Sequence, residues 1–278
     1  MLFIYHFFHC LAPRNHRENL LAALKDRYLS EVDRLLNLMH PNDHIDYKAL
    51  CETYRTDMKS CVVNWIISTT ILDPETCQTL LRPAIMSGSM ETVGALLNRG
   101  ADLNMPYSYR KSVLEIAMAY LEKTDLMEMI KFLVGKDANV NRGHGDYSPL
   151  VAASLNHPDV VSYLLQNGAE VNEVGDNLGN TPLTAALSHS ILDNGELRSS
   201  THCRSIVETL LSAGADPNKP KNDGETALHL ALDSEITNLL IQAGADLEAR
   251  DDCGQTPLLV AACTHRTDVI NVLKFELT

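Results

Sequence analysis

Apolar residues recur three and four positions apart along the chain: Val93, Leu96 and Leu97; Val160, Val161, Leu164 and Leu165; Val207, Leu210 and Leu211. At 3.6 residues per turn, that spacing lays each set along one stripe of an α-helix. The stripes stop at Gly100, Gly168 and Gly214, and Gly244 stands in the same relation to the segment before it. A glycine just past a helix end supplies the left-handed backbone that closes the last turn. Upstream, LLAALKDRYLSEVDRLLNLM from Leu20 to Met39 has an amphipathic period, and Tyr47 to Ile67 reads in the same way. Downstream, Thr264 to Phe275 supplies a last helix carrying Val269, Ile270, Val272 and Leu273. The pattern predicts an all-α chain.

The helices come in pairs with matching ends. Second helices close on GADLN at 100–104, DANVN at 137–141, GAEVN at 168–172, GADPN at 214–218 and GADLE at 244–248. First helices open on SVLEIA at 112–117, SPLVAA at 148–153, TPLTAA at 181–186, TALHLA at 226–231 and TPLLVA at 256–261. The leading Thr or Ser is a helix cap, and Pro149, Pro182 and Pro257 fall in the first turn, where proline is tolerated. LRPAIMSGSMETVGALLNRGAD from Leu81 fits the same template. The opening leucines, Leu81, Leu114, Leu150, Leu183, Leu228 and Leu258, are spaced by 33, 36, 33, 45 and 30 residues. From the Ala of each G-A-D-like end to the next opening leucine, the distance stays between 12 and 14. Length therefore varies inside the helix pairs, and the connectors between pairs predict a regular ladder of fingers.

These starts and ends, at a period near 33 residues, resemble the ankyrin repeat. The resemblance implies an ankyrin-repeat solenoid of about six recognisable repeats over 80–278. Residues 14–79 are expected to be helical, with room for one or two degenerate repeats, and residues 1–13, MLFIYHFFHCLAP, to form an apolar N-terminal segment over the first helices. The 45-residue unit carries its extra residues within 188–205, read as a surface loop with a short helical start at Ile191 and Leu192. The unit opening at Leu228 is about three residues short of the period, so Asp233 to Ile236 must turn quickly and the first helix should be clipped. In the last unit, no following repeat covers all of Val269, Ile270, Val272 and Leu273; the expectation is that the chain is cut from a longer protein or that this end binds something. The resemblance also gives His229 a structural hydrogen bond near the connector. It gives Asn104, Asn141, Asn172 and Asn218 the task of fixing the finger, with hydroxylation by an asparaginyl hydroxylase as the functional alternative.

Charge narrows the partner class. The formal net charge is −13, and residues 80–278 hold 15 Lys+Arg against 26 Asp+Glu, which argues against nucleic acid. The 7 cysteines are scattered without a C-x-x-C pair, as in a reducing compartment, and no apolar run approaches a membrane span. Nucleotide, zinc-protease, acyl-transfer and dinucleotide motifs are missing. His40, Asp43, His44 and Asp46 form the best metal-like cluster, but Pro41 and Asn42 make it a loop rather than a helical two-His site. His202 beside Cys203 is only a nominal thiol pair. No catalytic residue, metal or cofactor is assigned.

A row of fingers and helix pairs offers an extended concave surface suited to a protein partner rather than a small substrate. The expected contacts are Tyr107, Tyr109, Arg110, Arg142, His144, Asp146, Glu173, Asp176, Asn177, Lys219, Lys221, Asn222, Arg250, Asp251 and Asp252, with Tyr107, Tyr109 and Arg110 as anchors. The partner class is a basic or mixed-charge protein segment. The expected protein is a monomeric, non-catalytic scaffold, cytoplasmic or nuclear. The alternatives are a substrate-recruiting adaptor of a ubiquitin ligase and a regulatory fragment of a larger multidomain protein.

Overall fold

The computed structural model describes residues 74–105, 111–141, 148–175, 177–188 and 200–278. The expectations for residues 1–73, including the His40 cluster and the amphipathic stretch at 20–39, lie outside the described residues, as does the helical start at Ile191 and Leu192. The chain divides into two units, 1–102 and 103–278. In the first, α1 (Pro74–Met86) packs against α2 (Met90–Leu97). Cys77, Leu80, Leu81, Ala84 and Ile85 of α1 bury against Val93 and Leu96 of α2. Ser89 caps α2 by accepting from the Thr92 N–H. Gln78 holds the following connector with both ends of its amide, donating to the Asp102 carbonyl and accepting from the Asp102 N–H, each at 2.8 Å.

The second unit contains α3 (Val113–Tyr120), α4 (Lys123–Val134), α5 (Pro149–Ser154), α6 (Pro158–Gln166), α7 (Pro182–Leu187), α8 (Ser200–Ser212), α9 (Ser234–Gln242), α10 (Pro257–Cys263) and α11 (Thr267–Glu276). Short first helices lie side by side in the order α3, α5, α7; the second helices α4, α6, α8, α9 and α11 form a parallel layer behind them. All described elements are helical. The starts form as their residues dictate. Ser112 and Glu115 close a reciprocal capping box, Thr181 and Thr184 another, and Thr256 accepts from the Leu259 N–H. Each second helix buries its stripe, as in Val160, Val161 and Leu164 or Ile206, Val207 and Leu210.

Helix ends follow the glycine pattern. Asp137 occupies the glycine position of its repeat and takes the same left-handed backbone, with φ 65°, a conformation that Asp tolerates better than most side chains. The insertion is shorter than expected: Ser200 already belongs to α8, so 200–205 are helical rather than loop. Cys203 and Ile206 are apolar enough to bury and pull that stretch onto the core, and the Cys203 thiol donates to the Ala186 carbonyl at 3.1 Å.

In the short repeat, the first helix is reduced to consecutive i to i+3 turns over 226–231, with N–H donors at His229, Leu230 and Ala231. Asp233 then caps α9 through the Ile236 N–H at 2.8 Å. Clipping the helix exposes carbonyls that a further turn would have paired. Arg266, at the head of α11, donates to the His229 and Ala231 carbonyls at 3.2 and 2.8 Å. Burial pulls the Arg266 guanidinium below its ordinary value, against the opposing charge of Glu225.

Candidate protein-binding surface

The connectors fold into hairpin-like fingers because their acidic and asparagine side chains replace strand pairing with local turns. The Lys221 N–H donates to the Glu225 carbonyl at 2.9 Å, the Asp251 N–H to the Gln255 carbonyl at 3.1 Å, and the Gly175 N–H to the Asn180 carbonyl at 2.9 Å. Within them, an Asp oxygen accepts from the N–H two residues on: Asp223 from Glu225 at 3.1 Å, Asp251 from Cys253 at 2.9 Å. The Asp251 oxygen also takes the Gln255 N–H at 2.7 Å.

Neighbouring fingers are bonded to each other. The Asn222 N–H donates to the Leu178 carbonyl at 3.0 Å, and the Asp252 N–H to the Asp223 carbonyl at 2.9 Å. The Asn222 amide adds a bond to the Asn177 carbonyl at 2.9 Å. Gly224 lies in this contact with φ +81°; a Cβ there would meet the Asp252 nitrogen at 2.7 Å.

Behind the fingertips, one asparagine per repeat crosses to the next. Asn104 donates to the Asp137 carbonyl at 2.9 Å and accepts from the Asn139 N–H at 2.7 Å. Asn141 does the same with Gly168 and Glu170 at 3.2 and 2.8 Å, and Asn172 with Gly214 and Asp216 at 3.2 and 2.8 Å. Asn218 pairs with Gly244 and Asp246 at 2.9 and 2.8 Å. A side-chain amide carries its donor and its acceptor on separate atoms and so reaches the carbonyl and the N–H together, which gives the recurrence of Asn a structural cause.

His229 links fingers to helices. Its Nδ1 faces the Thr226 N–H at 3.2 Å and the Thr226 hydroxyl at 2.9 Å, while Nε2 reaches the Gln255 carbonyl at 3.0 Å. Nδ1 must accept the backbone proton, so Nε2 carries the hydrogen. The ring is buried and structural, as the resemblance implied.

Of the expected contact residues, Tyr107, Tyr109, Arg110, Arg142, His144, Asp146 and Asp176 lie outside the described residues. Asn177, Asn222, Arg250 and Asp252 are exposed on the fingers, and Glu173 and Asp251 are half-buried. The two lysines are engaged. Lys219 donates to the Asn172 carbonyl at 2.7 Å. The Lys221 side chain, 12% exposed, sits between Asp223 and Glu225 at 2.9 and 2.8 Å. Burial pulls the Lys221 ammonium down, but its hydrogen bonds to Glu225 and Asp223 outweigh that and hold it above the usual lysine value. Burial likewise pushes the Asp223 carboxyl up, while the Lys221 ammonium and backbone N–H groups bring it below the usual range. Arg250 donates to the Gly254 carbonyl at 2.9 Å.

Three exposed apolar side chains were missed from sequence: Leu178 at a fingertip, and Tyr120 ending α3 and Leu155 at the end of α5, both at the turn into the second helix. The signal was present in register, because Tyr120 and Leu155 lie beyond the small residues that bury each first helix. Among the described residues, no group of His, Cys, Asp and Glu could hold a metal ion, and no helix is long and apolar enough to cross a membrane.

The family model described as ankyrin repeats (3 copies) matches residues 114–197 and 198–276. The chain belongs to the ankyrin-repeat family. Ankyrin repeat protein FPV031 of Fowlpox virus (strain NVSL) is 31% identical over 176 residues, covering 59% of this chain and 47% of that protein. The chain thus spans about half the length of that relative. A chain in the solved complex of the predatory endopeptidase Bd0816 from Bdellovibrio bacteriovorus with immunity protein Bd3460 superposes with TM-score 0.57 at 25% identity, covering 70% of this chain and 97% of its own. The ankyrin repeat protein EF0377 gives TM-score 0.57 at 20% identity over 70% of this chain and 96% of its own. Ankyrin repeats mediate protein–protein interaction in general, and the family is generally non-catalytic.

Proposed function

We propose that this chain is a non-catalytic scaffold that docks a protein segment along its fingers and the exposed ends of its first helices. The observation that carries this reading is the backbone bonding from Leu178 to Asn222 and from Asp223 to Asp252. It holds exposed Asn177, Leu178, Asn222 and Asp252 at fixed spacing, so little conformational freedom is lost on binding. Lys219 and Lys221 are tied to neighbouring carbonyl and carboxylate oxygens, which leaves Asp252 and the other exposed fingertip groups to meet a partner. A basic segment carrying an apolar anchor fits that chemistry through steering and burial. The likeness to a chain from a two-protein complex supports the same reading.

The test is pull-down with mass spectrometry, comparing the intact chain with a variant carrying Tyr107→Ala, Tyr109→Ala and Arg110→Ala. Loss of one basic client supports the scaffold, and enrichment of ligase subunits favours the adaptor instead. Unchanged capture of every partner removes the proposed anchor. Hydroxylation of Asn104, Asn141, Asn172 or Asn218 is read by intact mass after incubation with an asparaginyl hydroxylase; no oxygen-sized increment removes it.

A further inference from the structure

Three fingers of the second unit repeat one layout with different chemistry. Aligned on Gly179, Gly224 and Gly254, which share a left-handed backbone, the two preceding residues are Asn177 and Leu178, Asn222 and Asp223, then Asp252 and Cys253. All six are exposed, Leu178 at 65%. Asp223 shares the Lys221 ammonium with Glu225, at 2.9 and 2.8 Å. In the last finger, Arg250 is turned to the Gly254 carbonyl, and an Asp251 oxygen takes the Cys253 and Gln255 N–H groups. Asp252 makes no ion pair among the described residues, so it is the anion this row offers.

The bonds between fingers set the spacing. The Leu178 carbonyl takes the Asn222 N–H, one residue step leads to Asp223, and the Asp223 carbonyl takes the Asp252 N–H. Backbones bonded in this way stand roughly 5–6 Å apart, and a residue step is about 3.8 Å, so Leu178 and Asp252 are at most about 16 Å apart. Four or five extended residues cover that length at about 3.3 Å each, whereas a helix needs about ten. Asn177 and Asn222 complete the row, the Asn222 amide donating to the Asn177 carbonyl at 2.9 Å. An exposed amide pairs with a peptide group, and an extended chain has free peptide groups where a helix has paired them internally.

We propose that the finger row reads an extended partner segment, with an apolar side chain on Leu178, a Lys or Arg four or five residues away on Asp252, and its backbone on Asn177 and Asn222. The inference rests on the scaffold reading and adds the conformation and residue spacing of the partner.

The probe is a phage-displayed library of random twelve-residue peptides, panned on the intact chain and on its Asp252→Lys and Leu178→Ser variants. Binders to the native chain should pair an apolar residue with Lys or Arg four or five positions away, in either direction. Asp252→Lys should exchange that base for Asp or Glu, and Leu178→Ser should remove the apolar preference. A synthetic peptide selected on the native chain should bind Asp252→Lys about fivefold more weakly by fluorescence anisotropy. Both positions are exposed, and circular dichroism checks that the variants stay folded. Binders whose base lies about ten positions off, or that ignore both substitutions, overturn the proposal; if they depend instead on Tyr107, Tyr109 and Arg110, the scaffold reading stands without it. A library that yields no binder also overturns it, while loss of a client in the pull-down would still support the scaffold.

Discussion

Asn172 joins two repeats through one amide, its nitrogen on the Gly214 carbonyl and its oxygen on the Asp216 N–H. Replacing it with Ala loses both bonds at an exposed site and should cost about 1–2 kcal/mol in urea unfolding. Asn172→Asp should not recover the loss, since a carboxylate cannot donate to the carbonyl. Gly224 tests the contact between fingers. Gly100→Ala places a Cβ in open space at φ +95°, whereas Gly224→Ala drives one into the Asp252 backbone at φ +81°. Both should destabilise, and Gly224→Ala by roughly 1 kcal/mol more, measured as a difference in denaturation midpoint at constant slope.

Lys221 and Asp223 make a smaller contribution with a defined pH window. The lowered Asp223 value means stability that is present above the ordinary carboxylate range and lost as pH falls through the folded value. The raised Lys221 value means stability present below the ordinary lysine value and lost as pH rises through the folded one. The difference between the native chain and Lys221→Met should be flat through neutral pH and shrink at both extremes. It should stay below about 1 kcal/mol, since Asp223 is largely exposed.

At the scale of elements, the turn over 226–231 and α11 depend on each other. Shortening the first helix left the His229 and Ala231 carbonyls without helical partners, and the next repeat supplies a guanidinium to them. Arg266→Met keeps the aliphatic stem and removes the donors. It should cost about 1–3 kcal/mol by chemical denaturation, with hydrogen exchange accelerating first in 226–231 and α11. The clipping itself was legible, because a unit three residues short must lose them where the connector does not. The compensating arginine was not, because Arg266 lies in the following repeat and nothing in its neighbours points to a carbonyl more than 30 residues earlier. The start of α8 was misread for a related reason. The polar run from Ser199 to Thr201 reads as loop until Cys203 and Ile206 find a core to bury against.

Across the second unit, stability is divided between repeats and the surfaces joining them, as expected of stacked units. The asparagine bridges and finger bonds are such junctions, and they place the exposed fingertips on a fixed frame. Association with a basic client should therefore weaken several-fold as salt is raised from about 0.1 to 1 M, mostly through the on-rate. Asp252→Lys should lower that rate without changing the unfolding midpoint by more than about 0.5 kcal/mol, read by stopped-flow mixing and denaturation.

Repetition made the sequence informative about architecture. Helix caps, apolar stripes and terminal glycines are local devices, each acting within a few residues, so their recurrence was enough to specify helix pairs joined by fingers. Tertiary structure decided which polar residues are available. Lys219, Lys221 and Asn222 read as free contact residues until packing brought Asn172, Asp223, Glu225 and Asn177 against them. Leu178 and Leu259 read as ordinary leucines until the fold left one exposed on a fingertip and the other half-exposed on α10. Exposure and pairing depend on residues far apart in the chain, and a local pattern does not carry that information.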